Sequence, residues 1–156
     1  MWWPFKKKTI EILAPCSGEL IGLDQVEDDA FKEKMLGDGF AIIPKTKIFH
    51  APISGKLVTV FPTKHAYGIR AKNGVEILVH IGLDTVKLNG EGFKTFVKQD
   101  QMVNAKDKLV NVDIKKIAKK VPSMKTPVIF TNTAGKTIEI VKTGNVKYGE
   151  VVAILK

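Results

Sequence analysis

The sequence predicts an all-β domain, namely an antiparallel β-sandwich or barrel of Greek-key or jelly-roll character with one or two short helices. Three observations predict this class. Gly, Pro and Asn residues interrupt the chain often, the runs between them are short and apolar or alternating, and turn-plus-strand segments recur. Because the chain has 156 residues, of which 44% are hydrophobic, we expect one domain with an ordinary core.

Ten segments have the composition of β-strands. Each is apolar, or alternates between apolar and polar residues, and turn residues separate it from the next. In chain order they are 9–13, 18–22, 39–43, 56–61, 67–71, 75–81, 108–112, 128–131, 138–141 and 151–155. Short strands separated by turns are typical of sandwiches and barrels.

One segment has a clear helical pattern. Asp113 is a suitable N-cap residue, and Pro122 ends the segment. The apolar residues between them recur at helical spacing and are Ile114, Ile117, Ala118 and Val121. A second, shorter helix is predicted between residues 29 and 36. One side of it would carry Phe31, Met35 and Leu36.

The chain contains an internal echo. Residues 14–20 return 37 positions later as residues 51–57, and five of the seven positions are identical. A fainter echo relates residues 103–109 to residues 146–152. Two short echoes are too few for a solenoid, so they predict a pseudo-repeat within one sandwich or barrel.

The charge of the chain is strongly positive. The 25 basic side chains outnumber the 16 acidic ones, and the formal net charge is +9. Only Arg70 is an arginine, although arginine is the usual residue for gripping phosphates and base edges. Since the lysines are scattered among acids, the charge predicts a solvated lysine-rich surface and no nucleic-acid partner.

The first eight residues are predicted to be a short leader that precedes a domain over residues 9–156. The leader includes Trp2, Trp3, Lys6, Lys7 and Lys8. This composition predicts either a disordered tail or weak contact with an anionic membrane surface. A single cysteine, Cys16, excludes an intramolecular disulfide, and no run reaches the roughly 20 apolar residues of a membrane span. We therefore expect a cytoplasmic protein.

The stretch from residue 63 to residue 84 is predicted to form a β-hairpin. Asn73-Gly74 between two β-rich runs is a strong hairpin signal. A two-residue turn at this position would pair Lys72 with Val75, and the pairs farther out would follow in the same register.

That register would bring two histidines together. His80 would lie opposite Tyr67 and His65 opposite Gly82, so that all four residues share one face of the sheet. The imidazoles would be diagonal neighbours, about 7–8 Å apart at the backbone, and their rings would be able to meet. The same face would include Thr63 and Asp84.

A pair of adjacent imidazoles suits phosphoryl transfer. A neutral imidazole is a good nucleophile near pH 7, and a second one stabilises the transferred group. The sequence has no Gly-rich phosphate-binding motif, so a nucleotide donor is not indicated. Two alternatives stay open. One is a zinc-dependent hydrolase that uses His65 and His80, with His50 as a third ligand, and the other is a non-catalytic biotinyl-like carrier domain modified at Lys125.

Residues 74–86 resemble the active-site signature of a known family. They read Gly-Val-Glu-Ile-Leu-Val-His-Ile-Gly-Leu-Asp-Thr-Val, and the agreement continues through residues 37–42, 51–55, 63–67 and 90–93. On this basis the chain is similar to the glucose-type IIA component, or EIIA type 1 domain, of the bacterial phosphoenolpyruvate-dependent sugar phosphotransferase system. The resemblance extends from about residue 9 to residue 156.

The resemblance implies an antiparallel β-sandwich or barrel that acts as a phosphotransferase component, a phosphohistidine carrier in sugar uptake, without a required cofactor. His80 would accept the phosphoryl group from the carrier protein HPr and give it to a cysteine of a IIB domain. His65 would hydrogen-bond the phosphoryl oxygens, and Thr63 would orient His65. The same two histidines are a candidate site for regulatory zinc.

The resemblance also implies a surface for partner proteins. Asp84 is expected to contribute to this surface and to the local charge balance. The other residues assigned to docking or to the neighbourhood of the histidines are Phe40, Ile42, Val79, Ile81 and Gly82. Some of the apolar side chains in this set are expected to face HPr and IIB.

Overall fold

The structure is a computed structural model that describes residues 9–156. The predicted leader, with its proposed membrane contact through Trp2, Trp3, Lys6, Lys7 and Lys8, lies outside the described residues. Within residues 9–156, no helix is long and apolar enough to cross a membrane.

The described chain forms fourteen β-strands and two short α-helices. The strands are β1 Ile10–Leu13, β2 Gly18–Ile21, β3 Asp38–Pro44, β4 Ile48–His50, β5 Gly55–Val60, β6 Ala66–Arg70, β7 Glu76–His80, β8 Phe93–Thr95, β9 Met102–Val103, β10 Lys108–Val112, β11 Thr126–Asn132, β12 Ile138–Ile140, β13 Gly144–Val146 and β14 Val151–Leu155. The helices are α1 Asp29–Lys32 and α2 Ile114–Ile117, and 3₁₀ turns cover Leu23–Gln25, Thr85–Leu88 and Ala118–Lys120. The prediction of an all-β fold with one or two short helices is confirmed.

All strand pairs are antiparallel. The largest sheet has eight strands in the order β13-β2-β3-β11-β7-β6-β5-β9, and two three-stranded sheets have the orders β1-β14-β12 and β4-β10-β8. Apolar side chains from all three sheets pack into one main core. The chain is therefore a β-sandwich, as predicted.

A second apolar cluster covers the outer face of the large sheet near the end of β7. It joins Leu23 and Val26, from the segment that leads into α1, and Phe31 of α1 to Ala41 and Ile129 of the sheet. Strand β7 alternates between the two clusters, with Ile77 and Val79 in the main core and Leu78 and His80 on the other face. This alternation places His80 beside α1.

The internal echo corresponds to a pair of equivalent turns that bind each other. The Leu13 amide donates to the Pro52 carbonyl at 3.0 Å, and the His50 amide donates to the Pro15 carbonyl at 2.7 Å. Each turn also uses its serine in the same way, since the Tyr148 amide donates to Ser17 Oγ at 3.0 Å and the Ala105 amide to Ser54 Oγ at 2.8 Å. The pseudo-repeat predicted from the sequence thus has matching hydrogen bonds in both copies.

All ten predicted strands are present, with bounds that differ by one or two residues. Four strands were not predicted, namely β4, β8, β9 and β13. Each has only two or three residues, too few to show a hydrophobic period. The helix after Asp113 is confirmed, because Asp113 Oδ1 accepts from the Lys116 amide at 3.3 Å, although its last turn is 3₁₀.

Helix α1 is shorter than predicted. It begins after Asp28, whose Oδ1 accepts from the Ala30 amide at 3.0 Å, and it ends at Lys32. Phe31 is buried, but Met35 and Leu36 are 73% and 47% exposed. The prediction that these three side chains share one side of a helix is wrong, because the helix ends before Met35.

Candidate functional site

The hairpin is present, but its register differs by one residue from the prediction. The Gly74 amide donates to the Ala71 carbonyl at 3.0 Å, and the Ala71 amide donates to the Val75 carbonyl at 2.8 Å. Three residues therefore connect the strands, and Gly74 takes the left-handed conformation with φ +93°. Each residue of β6 pairs one position away from the expected partner, and Ala66 lies opposite His80.

The new register changes the reason why the histidines meet. Tyr67 pairs with Val79 and lies in the main core, so the prediction that Tyr67 shares a face with His80 is wrong. His65 is paired with Ile81, because the Ile81 amide donates to the His65 carbonyl at 2.7 Å. Strict alternation would therefore place His65 on the opposite face from His80.

The two imidazole rings nevertheless contact each other. Their centroids are 4.9 Å apart, and the ring planes are inclined by 83°. Strand β6 begins only at Ala66, and Lys64 has a left-handed φ of +62°, so His65 lies outside the regular pleat. The predicted proximity is confirmed, but a break in the strand and not its alternation produces it.

The turn after β7 decides which nitrogen of His80 is free. His80 Nδ1 lies 2.9 Å from the Gly82 carbonyl oxygen, and since a carbonyl only accepts, Nδ1 carries the proton. Gly82 has a φ of +75°, and a Cβ at this position would lie 2.6 Å from Thr85 Cγ2. The tight turn thus requires glycine, and Nε2 of the neutral ring keeps its lone pair.

His80 lies in a partly buried, apolar environment. The Phe31 ring packs on it with centroids 5.0 Å apart. Burial lowers the pKa of His80, while the hydrogen bond to Gly82 and the carboxylates of Asp28 and Asp84 act in the opposite direction. The ring is therefore mostly unprotonated at pH 7 and available as a nucleophile.

His65 is held from both sides. Its Nδ1 lies 2.7 Å from Thr63 Oγ1, and the Phe61 ring meets it edge-on at 5.2 Å between centroids. Burial, together with the nearby His80, lowers the pKa of His65 to about 4. His65 is thus a neutral, oriented ring beside His80.

The comparisons with known proteins agree on one family. The family model described as "phosphoenolpyruvate-dependent sugar phosphotransferase system, EIIA 1" matches residues 10–136. The chain belongs to this EIIA family. Membership confirms the resemblance that residues 74–86 indicated, and it makes the chain a phosphocarrier component of a sugar phosphotransferase system.

Individual relatives support the assignment over the full length. The chain is 69% identical over 156 residues to a "PTS system glucose-specific EIIA component" of Mycoplasma capricolum, with all of both chains covered. A solved structure, "glucose permease IIA from Mycoplasma capricolum", superposes with a TM-score of 0.95 at 68% identity and full coverage of both chains. A "PTS system glucose-specific EIICBA component" of Staphylococcus carnosus is 43% identical over 145 residues, which are 93% of this chain and 22% of that protein.

The remaining site predictions have mixed outcomes in this EIIA chain. Asp84 lies on the left-handed turn after Gly82, where its carboxylate is 3.7 Å from the Lys87 ammonium. Phe40, Ile42, Val79 and Ile81 are all buried in the main core. None of these four faces outward, so the prediction that some of them form a docking surface is wrong.

Sequence reasoning missed two residues beside His80. Phe31 and Asp28 come from α1 and its N-cap, which are separated from His80 by about fifty positions in the chain. The only sequence signal for Asp28 was its suitability as an N-cap residue. The contact itself depends on how the segment before α1 packs on the sheet.

The alternative functions are not favoured. His50 is a separate, buried residue of β4, and among residues 9–156 no group of three His, Cys, Asp or Glu side chains is arranged to hold a metal ion. The Lys125 ammonium is engaged by the Gln25 carbonyl and the Glu27 carboxylate, unlike the free lysine of a carrier hairpin. Cys16 is buried, and burial raises the pKa of its thiol to about 12, which excludes a reactive thiolate at neutral pH.

Proposed function

We propose that this chain accepts a phosphoryl group from phosphorylated HPr on Nε2 of His80 and passes it to a cysteine of a IIB domain in the cytoplasm. One observation carries the atom assignment. The hydrogen bond from His80 Nδ1 to the Gly82 carbonyl leaves Nε2 as the only nucleophilic nitrogen of the ring. The names of the two Mycoplasma capricolum relatives, both of which refer to glucose, support glucose as the transported sugar.

In the accepting step, the His80 Nε2 lone pair attacks phosphorus while the bond between phosphorus and the HPr histidine breaks. The Nδ1 proton stays in place, so positive charge develops on the His80 ring. The Gly82 carbonyl and the carboxylates of Asp28 and Asp84 stabilise this charge. Because Nδ1 keeps its proton, the ring is able to accept the group on Nε2 and later to leave as a neutral imidazole.

His65 stabilises the transferred group in this mechanism. The role requires the tautomer with the proton on Nε2, in which the Thr63 hydroxyl donates to Nδ1 across 2.7 Å. Nε2–H then donates to a phosphoryl oxygen on the neighbouring ring. Because the ring is fixed before the phosphate arrives, little reorganisation is needed at the moment of transfer.

In the donating step, a cysteine thiolate attacks phosphorus and the phosphorus–Nε2 bond breaks. The electron pair returns to Nε2, and the ring becomes neutral again. The Staphylococcus carnosus relative supports a IIB acceptor, since its name places the A component in one chain with B and C components. Exposed apolar side chains near the pair, such as Phe61, are suited to docking of both partners.

The test is transfer of labelled phosphate from phosphoenolpyruvate through HPr, in the presence of the enzyme that charges HPr. We expect the protein to gain acid-labile phosphate and His80→Ala to gain none. His50→Gln is the matched control and should be labelled like the unaltered chain. Normal labelling of His80→Ala would overturn the assignment.

A regulatory zinc ion between His65 and His80 is a second proposal for the same site. The ring contact supports it, because the two imidazoles supply two of the four ligands that zinc usually takes. Zinc at this position would occupy the nucleophilic lone pair and slow labelling. The control is the phosphorylation of HPr itself, which must proceed normally at the zinc concentrations used. If added zinc then leaves the rate of labelling of this chain unchanged, the proposal is contradicted.

A further inference from the structure

One lysine joins two segments of the chain that lie near His80. Lys125 Nζ donates to the Gln25 carbonyl at 2.8 Å and to Glu27 Oε1 at 2.5 Å. Its side chain is only 21% exposed, whereas every other ion-paired lysine of the described residues is at least 43% exposed. Solvent therefore screens the lysine end of this pair less than it screens the others.

The first segment leads into α1, which forms a wall beside the His80 ring. Gln25 and Glu27 lead directly to Asp28, the N-cap of α1, and α1 carries the Phe31 ring that packs on His80. A helix of four residues does not hold itself in place. The position of this wall therefore depends on the apolar cluster beneath it and on the link to Lys125.

The second segment supports the turn that follows His80. The Leu83 amide donates to the Ser123 carbonyl at 2.9 Å, immediately after Gly82. Met124 Sδ lies 3.4 Å from the point where a Cβ of Gly82 would be. Residues 123–125 thus pack against the turn whose Gly82 carbonyl accepts the hydrogen bond from His80 Nδ1–H.

We propose that Lys125 is a positioning residue for phosphoryl transfer at His80. Its ammonium ties the segment before α1 to the segment that supports Gly82, and it thereby holds Phe31, Asp28 and the Gly82 carbonyl in fixed relation to the ring. The proposal rests on the proposed function of His80. Lys125 does not contact His80 itself and acts through these neighbours.

The experiment compares Lys125→Met with Lys156→Met. The second variant breaks another lysine–glutamate pair, in which Lys156 Nζ lies 3.2 Å from Glu139. We expect Lys125→Met to slow phosphoryl transfer from HPr by about tenfold, because small displacements of reacting groups cost that much or more. Lys156→Met should keep the rate, and Lys125→Arg, which preserves the cation and its donors, should recover most of it.

A second measurement separates positioning from general destabilisation. Burial is the main cause of the lowered pKa of His80, and Phe31 of α1 packs on the ring, so loosening α1 should raise this pKa, as followed by NMR of the imidazole. The other charged or titratable groups that act on His80 are Asp28, Asp84 and His65, and none of them is changed in Lys125→Met. An unchanged pKa of His80, or equal slowing in both methionine variants, would overturn the proposal.

The two measurements also distinguish the two proposals. If His80 of the unaltered chain takes up no phosphate, the proposed function fails whatever Lys125 does. The NMR titration needs neither phosphate nor HPr. A raised pKa of His80 in both Lys125→Met and Glu27→Ala, two variants that break the same link but remove opposite charges, would then still show that this link holds the residues around the ring.

Discussion

His50 and His65 are both buried, with 7% and 2% exposure, and burial lowers the pKa of each. Their neighbours differ. His50 Nδ1 lies 3.2 Å from the Pro15 carbonyl oxygen, and the ring stacks on Tyr148 at 4.1 Å between centroids. His65 has a hydroxyl on one side and the partly exposed imidazole of His80 on the other.

This difference shows that a buried histidine is not by itself a site. The contacts of His50 are made within the pseudo-repeat and hold two turns together. His65 also has fixed contacts, but it lies against a second titratable ring that is partly exposed. In the proposed mechanism, this neighbour with a free lone pair is what separates His65 from the structural His50.

The largest expected effect in this comparison comes from His65→Ala. Loss of the ring removes the hydrogen bond to the phosphoryl group but leaves His80 Nε2 free. We expect the variant to accept phosphate from HPr, yet to pass it to IIB about 100-fold more slowly, in line with the loss of one preorganised donor. The measurement is the rate of label transfer from the isolated phosphoprotein to IIB, and onward transfer at the normal rate would contradict the role of His65.

The stability of the protein at acid pH provides a second test of the comparison between His65 and His50. An unfolded chain protonates His65 near its ordinary pKa of 6.5, whereas the folded chain does so near about 4. Between these values the unfolded state binds more protons, so the free energy of unfolding decreases as the pH falls, by up to about 3 kcal/mol for this residue. Urea unfolding at pH 7 and pH 4.5 measures the decrease.

The control for this measurement is His65→Gln, which lacks the titrating ring. Its free energy of unfolding should depend less steeply on pH than that of the unaltered chain. The lowered pKa values of His50 and His80 and of Glu27, Glu91 and Glu150 contribute in the same direction, but they are common to both proteins. Equal slopes would show that His65 is not the group responsible.

The smallest effect is expected from His50→Gln. The substitution loses the stacking contact with Tyr148, and we expect the free energy of unfolding to decrease by about 1 kcal/mol. The rate of phosphoryl transfer should stay the same, because the side-chain contacts of His50 are with Pro15 and Tyr148 and not with His65 or His80. A slower transfer in His50→Gln at unchanged stability would mean that the two regions are coupled.

Local patterns were sufficient for much of the fold. Turn residues and short apolar runs predicted the strands of five or more residues, and Asp113 followed by apolar residues at helical spacing predicted α2. The same patterns missed β9, which has only two residues. They also placed Met35 in a helix that ends before it. Helix propensity alone does not determine how far a short helix extends, because packing against the rest of the protein supplies most of its stability.

The histidine pair of the candidate site was predictable, but its geometry was not. The motif around His80 and the spacing to His65 identified the pair, yet the assumed two-residue turn gave a register that differs by one position from the observed one. A single residue in the connecting loop shifts all pairs of a hairpin, and the sequence alone does not distinguish the two loops. The rings meet because the chain leaves the pleat at Lys64.

The sequence by itself determined the β class, the pseudo-repeat and the identity of the histidine pair, because each of these depends on residues close together in the chain or on a recurring motif. Only the tertiary structure decided that Phe31, Asp28 and Lys125 belong to the surroundings of His80. Phe31 and Asp28 lie near the ring, and Lys125 is bonded to the segment before α1, across long separations in the chain. Contacts of this kind depend on how whole elements pack, and no local pattern encodes them.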